Sequence, residues 1–504
     1  MKSQYPELHK SLMNASSLIK AISLLIILIF VSCDQPNKNI SDTIINGEVG
    51  TKLNDQLTPR IIEAMETHAI PGLSIGIVHN NDIIYAKGFG YENISTKSPV
   101  TTSSIFHMAS ISKTFVATAV MQLVESGKIG LDEKVIKYLP YFKMIGDDYK
   151  EITIRQMLGH ISGMPNSNDY EWDKPQYDEG AIERFVRSLA SEKMELRPGE
   201  KFRYSNIAFE VLGDVIAKVS GESFCDYQKN HILNPAGMDN SSFLKPRELP
   251  ENWASPHEMS LKPFLINIYP YNRRHAPSST LHSNALEMCN WALVNLNRGS
   301  FDKKKVLNNA TYDELWNPWV KNEVGEIAKY GDIGLSWFVS EYKGEKTIGH
   351  GGSDEGFQTY FIMLPQKSIG VIVMANILPA PVEEITYMAI DIINGINITP
   401  IKPLASVPTW KILNENGIDE AVKFWNELKL NSSTDYDFNI QQFFNLYFSV
   451  TFNQEEDAIK IAEFCKKALS TDDILYLVEL MEYALESNPE KQLTIKILDI
   501  LKEK

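Results

Sequence analysis

Cysteine is scarce in this chain, with only Cys33, Cys225, Cys289 and Cys465 among 504 residues, far apart in sequence. Three of them sit in apolar, helix-like surroundings, where a free cysteine behaves as a small hydrophobe, so no disulfide framework is expected. There is no G-x-x-x-x-G-K-[ST] phosphate loop, no H-E-x-x-H and no paired C-x-x-C, which removes the usual nucleotide and zinc signatures. Positive charge is also short. A formal net charge of −15 speaks against nucleic acid or an anionic membrane surface as the main partner. With 43% hydrophobic and 22% charged residues, the composition is that of a folded globular chain of two to three domains.

No apolar run reaches the ~20 residues of a spanning helix. The N-terminus instead carries Lys2, Lys10 and Lys20, then an uncharged stretch over 21–31, then Ser32-Cys33. That order describes a secretory signal. Val31-Ser32-Cys33 resembles a bacterial lipobox, in which the cysteine is lipidated and becomes the mature N-terminus; a plain cleaved signal or an uncleaved anchor is the alternative. The expected organisation is a signal over 1–33, a polar tether over 34–56, a catalytic domain over 57–398 and a helical domain over 408–504. The protein is thus expected in the cell envelope, touching the membrane only through its N-terminal anchor.

What is present begins with Ser110-Ile111-Ser112-Lys113, directly before an apolar run over 115–124 that lacks Gly and Pro and stops at Gly127. Such a run reads as a buried helix. Residues three apart share a helix face, so the Ser110 hydroxyl and the Lys113 amine can meet near an N-terminus that favours developing negative charge. An amine beside a serine is one route to an activated nucleophile. The pattern alone is common: S-x-x-K occurs five times, at Ser17, Ser110, Ser242, Ser300 and Ser340. Context has to single one out.

Strand signals over 73–78 and 83–89 flank a hairpin turn, His79-Asn80-Asn81-Asp82, and three more follow over 347–350, 357–364 and 369–375. Helical patterns lie between, so the two sets of strands are expected to share one sheet. The acidic, aromatic segment 166–180 reads as a solvated loop, with the rim of a pocket as the alternative. Arg273-Arg274 reads as a surface pair that could instead hold a substrate carboxylate. Beyond residue 400 the strand signals end, and helical patterns run over 419–428, 440–450, 455–469, 474–485 and 491–501.

Downstream of Ser110, Tyr204-Ser205-Asn206 precedes a second apolar helix, and His350-Gly351-Gly352-Ser353 ends a strand signal. Together with Phe106-His107-Met108-Ala109, Leu158-Gly159-His160-Ile161-Ser162-Gly163-Met164-Pro165, Arg197-Pro198-Gly199-Glu200 and Gly356-Phe357, these stretches resemble the serine β-lactamase and penicillin-binding group, in particular its class C β-lactamase-related esterases and peptidases. The resemblance covers roughly 57–377.

It implies an α+β fold of the β-lactamase/transpeptidase type, an antiparallel sheet flanked by helices plus an all-helical subdomain, here followed by an all-α domain of helical hairpins. It implies Ser110 as nucleophile, with Lys113 and Tyr204 moving its proton. Asn206 would orient Lys113 and the substrate. His350, Gly351, Gly352 and Ser353 would line the substrate edge, with the Ser110 and Ser353 backbone N–H groups holding the oxyanion. No metal and no cofactor are implied, and the substrate would be a small molecule or peptide bearing an ester or amide. His350 stands where classical β-lactamases carry the lysine that holds a drug's carboxylate, which turns the reading away from antibiotics. In the C-terminal part, Glu420-Ala421-Val422-Lys423 echoes Asp457-Ala458-Ile459-Lys460, and the stretch ending Asn488-Pro489 resembles the close of a tetratricopeptide unit, a possible docking site for a protein partner.

Overall fold

The hairpin turn Asn80-Asn81 takes left-handed φ values of 51° and 70°, as a two-residue turn with the twist of its strands requires. It joins β2 (Gly72–His79) to β3 (Asp82–Asn93) in this computed structural model, which describes residues 43–166, 170–259, 263–322, 329–438, 455–487 and 492–502. The signal and Cys33 lie outside the described residues, as does the helix expected over 440–450.

A short strand, β1 (Ile44–Ile45), precedes helix α1 (Gly47–Thr67). Helix α2 (Ser112–Glu125), α3 (Ile154–Leu158), α4 (Asn206–Ser220) and α5 (Ala285–Leu296) follow β3. Then come β4 (Asp332–Ile333), β5 (Phe338–Tyr342), β6 (Glu345–Asp354), β7 (Phe357–Leu364), β8 (Ile369–Ala375) and α6 (Val382–Asn394). The strands form one antiparallel sheet in the order β1-β3-β2-β8-β7-β6-β5-β4, so the early and late strands pair through β2 and β8, as expected.

Both faces of the sheet are covered, which is why β2 is buried along nearly its whole length. Helices α1 and α6 close one face over Leu73, Ile75, Ile77, Val371 and Val373. Helices α2, α4 and α5 build the larger core on the other. Helix α5 lies close because Gly76 and Gly370 present no Cβ to it; a Cβ at Gly76 would meet Cys289 Sγ at 2.5 Å, and one at Gly370 would meet Ala292 Cβ at 2.9 Å. Helix α2 is buried all round, as its composition requires. Its Phe115 stacks on Trp291 of α5 at 4.0 Å between ring centroids and 18° between planes. Truncation by Trp291→Ala is expected to cost about 3–5 kcal/mol of stability, read as a lowered urea midpoint at unchanged m-value.

One boundary needs correction. The tether expected over 34–56 overlaps α1, which starts at Gly47. Leu53, Leu57, Ile61 and Ala64 recur at helical spacing and are buried, while Pro59 stands on the exposed side, so the helix runs through the proline. The C-terminal helices are α7 (Ser406–Asn416), α8 (Ile418–Ser432), α9 (Glu455–Ala468), α10 (Thr471–Ser487) and α11 (Gln492–Lys502). They enclose a separate core around Trp410, Trp425, Phe464, Leu477 and Ile497. Of these, α7 escapes the sequence patterns.

Candidate active site

The nucleophile stretch leaves the sheet region through Ala109, a fully buried residue held at φ 48°, in the left-handed region that non-glycine residues rarely occupy. A 3-10 turn over Ala109–Ile111 then runs straight into α2. This places the Ser110 hydroxyl 2.9 Å from the Lys113 amine on the same helical face. Lys113 is fully buried, and its second contact is the Ser278 carbonyl at 2.8 Å. Burial lowers its pKa to about 7, against the pull of the Glu210 and Asp354 carboxylates. A neutral amine bonded to the Ser278 carbonyl keeps a lone pair for the Ser110 proton.

Tyr204 also hydrogen-bonds Ser110, and burial raises its phenol well above the ordinary value. The Lys113 nitrogen lies 5.2 Å from the Tyr204 ring centroid, so the three side chains form one group. Behind it stands His160, stacked on Tyr204 at 4.1 Å and 17°. His160 Nδ1 accepts the Ser205 N–H at 3.2 Å, and burial holds this imidazole neutral. The same loop fixes the start of α4: Ser205 donates to the Pro165 carbonyl at 2.7 Å, and the Asn206 N–H donates to Asn166 Oδ1 at 2.9 Å. His160 belongs to the Leu158–Pro165 motif, yet its part in seating the tyrosine is visible only once the stacking is seen.

Asn206 occupies the first position of α4, but its side chain makes no bond to Lys113; its Oδ1 is buried without a partner. The orienting bond expected from Asn206 comes instead from the Ser278 carbonyl, on the short helix Ala276–Ser279.

The last motif lies on β6. Strand β5 pairs with β6 only as far as Gly349, and β7 covers the other edge through Asp354. The edge of His350, Gly351, Gly352 and Ser353 opposite β7 has no strand beside it among the described residues. A Cβ on Gly352 would overlap the Met108 carbonyl and the Thr359 hydroxyl, so this glycine is what lets β6 approach the nucleophile stretch. His350 shares that face of the strand. Its Nδ1 donates to the Gly351 carbonyl at 2.6 Å, and its Nε2 is buried without a partner. Burial and Lys113 lower its pKa to about 3, so it is neutral at physiological pH.

Two sequence expectations change here. Arg273 and Arg274 are not a surface pair: Arg273 donates to the Tyr177 carbonyl at 2.8 Å, and Arg274 is bonded to Glu171 and to His275. Their charges are committed to the 170–180 segment. That segment is not simply solvated either, since Tyr170 stacks on Trp172 at 4.6 Å and bonds Ser278 beside Lys113. Among the described residues no group of three or more His, Cys, Asp and Glu side chains is arranged to hold a metal ion.

A family model described as Beta-lactamase matches residues 57–394. Protein flp of Staphylococcus aureus (strain N315) is 27% identical over 329 residues, which is 65% of this chain and 64% of that protein. Penicillin-binding protein 4* of Bacillus subtilis (strain 168) is 34% identical over 191 residues, 37% of this chain and 41% of that protein. The chain therefore matches less than two thirds of the length of these relatives. Among solved structures, the octameric penicillin-binding protein homologue from Pyrococcus abyssi superimposes with a TM-score of 0.61 at 29% identity, covering 72% of this chain and 81% of that one. A class C beta-lactamase shares the fold, with a TM-score of 0.57 at 20% identity, over 68% of this chain and 96% of that one. With a family model matching residues 57–394, which hold most of the sheet and the helices that cover it, this chain belongs to the β-lactamase family of serine hydrolases.

Proposed function

We propose that this protein is an exported serine hydrolase of the class C β-lactamase-related type that cleaves an ester or amide through an acyl-enzyme on Ser110. The observation that carries this reading is the buried Lys113 amine, 2.9 Å from the Ser110 hydroxyl and held near neutrality. Lys113 takes the Ser110 proton as the serine oxygen bonds to the carbonyl carbon. Tyr204, kept protonated by burial, donates to the departing alkoxide or amine as its bond to that carbon breaks. In this reading the backbone N–H groups of Ser110 and Ser353 hold the oxyanion as it forms. Lys113 passes the serine proton on to Tyr204; water then attacks the acyl carbon, giving a proton to Lys113, which returns it to the Ser110 oxygen as the acyl–oxygen bond breaks.

A neutral His350 offers no fixed cation to a substrate carboxylate. This favours esters and peptide-type amides over the alternative of a penicillin-binding carboxypeptidase or β-lactamase. The test is a parallel measurement of p-nitrophenyl acetate, nitrocefin and D-alanyl p-nitroanilide turnover with fluorophosphonate labelling read by peptide mass. Labelling at Ser110 with ester or anilide turnover at least about tenfold above nitrocefin is expected. Labelling at another residue, or nitrocefin as the best substrate, would sink the proposal.

A further inference from the structure

The site is poor in free cations and rich in unanswered acceptors. Lys113 is committed to Ser110 and Ser278, Arg273 to the Tyr177 carbonyl and Arg274 to Glu171. Facing them, Asn206 Oδ1 and His350 Nε2 are buried with no hydrogen-bond partner. Such acceptors call for a ligand that brings hydrogens.

Asp354 adds a charge to this arrangement. Residues 350, 352 and 354 of β6 share one face, the face that Gly352 turns toward Met108 beside the nucleophile. One oxygen of Asp354, Oδ2, receives the Ser279 hydroxyl and the His107 Nε2–H, the latter at 2.8 Å. His107 Nδ1 lies 3.4 Å from His282 Nε2. Burial keeps His282 neutral, beside the Ser242 and Thr280 backbone. His107 thus donates from Nε2 to the Asp354 carboxylate. The Asp354 side chain remains 12% exposed, and both of these hydrogen bonds fall on Oδ2.

The side on which Asp354 stands follows from the strand. Tyr204, the leaving-group acid, has its ring 6.4 Å from that of His350, so the leaving group departs on the His350 side. Four residues of extended strand, roughly 13 Å, carry the chain from His350 past Ser353 to Asp354. Asp354 is then on the acyl side of the oxyanion position.

We propose that Asp354, held by His107 and Ser279, is a specificity-determining residue that binds an ammonium group on the acyl portion of the substrate. The inference rests on Ser110 being the nucleophile. A carboxylate fixed by two donors is preorganised for a cation, and it repels acyl groups carrying a carboxylate.

The test compares kcat/KM for the p-nitrophenyl esters of β-alanine and of N-acetyl-β-alanine at pH 7. The wild-type protein is expected to favour the free amine by about tenfold or more, with the preference shrinking as salt rises from about 0.05 to 0.5 M. In Asp354→Asn the ratio falls to about one, whereas Asp354→Glu retains a preference because it retains the charge. A wild-type ratio of one, a preference indifferent to salt, or an equal loss on both esters in Asp354→Asn would overturn the assignment; the last is what a purely structural role gives. If Asp354→Asn does not fold, the salt dependence of the wild-type ratio decides. Fluorophosphonate labelling at Ser110 in the same samples separates the two levels: labelling without amine preference removes only the Asp354 proposal, and absence of labelling removes the nucleophile with it.

Discussion

Ser110→Ala is expected to lower kcat/KM by ~10⁴ or more and to abolish fluorophosphonate labelling, and Lys113→Met to come within about tenfold of it. The two losses are similar because the residues act as one unit. Without the amine, the Ser110 hydroxyl keeps Tyr204 as a partner, but burial holds that phenol protonated, and a protonated phenol takes no proton. The double variant should then be scarcely worse than either single one. Additive losses would mean that Lys113 and Ser110 serve different steps. The pH profile carries a second reading of the same pair. Lys113 is a base only when neutral, and burial brings its pKa to about 7. Activity should therefore rise through about pH 7 and level off above it, following the free amine. A profile falling through the same range would assign the lysine as an acid.

Gly352→Ala is expected to lower kcat by about a hundredfold or more while the protein still melts cooperatively. A methyl group at this position overlaps the Met108 carbonyl and the Thr359 hydroxyl. The hydroxyl can rotate away, but the carbonyl is backbone, two residues before Ser110, and already accepts the Thr359 hydroxyl at 3.1 Å. Relief can come only by parting β6 from the nucleophile stretch, which widens the gap that Ser110 and Ser353 must span together. Gly351→Ala is the control. Its Cβ would meet the Tyr360 ring at 3.5 Å and the Thr359 carbonyl at 3.9 Å, ordinary contacts on the opposite face of the strand. A loss as large in Gly351→Ala as in Gly352→Ala would refute the close-approach argument and point to strand flexibility instead.

The helical C-terminal region has a core of its own around Trp425 and Phe464. Among the described residues, α8, α9, α10 and α11 follow the amphipathic patterns. Helix α7 was invisible because Ser406-Val407-Pro408-Thr409 offers no repeating apolar positions before Trp410. At the N-terminal end α1 begins at Gly47, inside the stretch expected as a tether, and runs on through Pro59.

The sequence by itself determined the parts of this protein that are written in local order: the buried helix behind Ser110, the Asn80-Asn81 hairpin, the antiparallel strands, and the motifs that place Ser110, Lys113, Tyr204 and His350 in one family. Helix and strand periods act over a few residues, so they survive in one dimension. The tertiary structure alone decided what surrounds those residues. The carbonyl that steadies Lys113 comes from Ser278, 165 residues away, not from Asn206 as expected. His107 meets Asp354 across 247 residues, and no spacing rule connects them. The charges of Arg273 and Arg274 were legible, but not their commitment to the 170–180 segment. The lowered pKa values of Lys113 and His350 likewise come from burial, a property of everything packed around a group rather than of its neighbours in the chain.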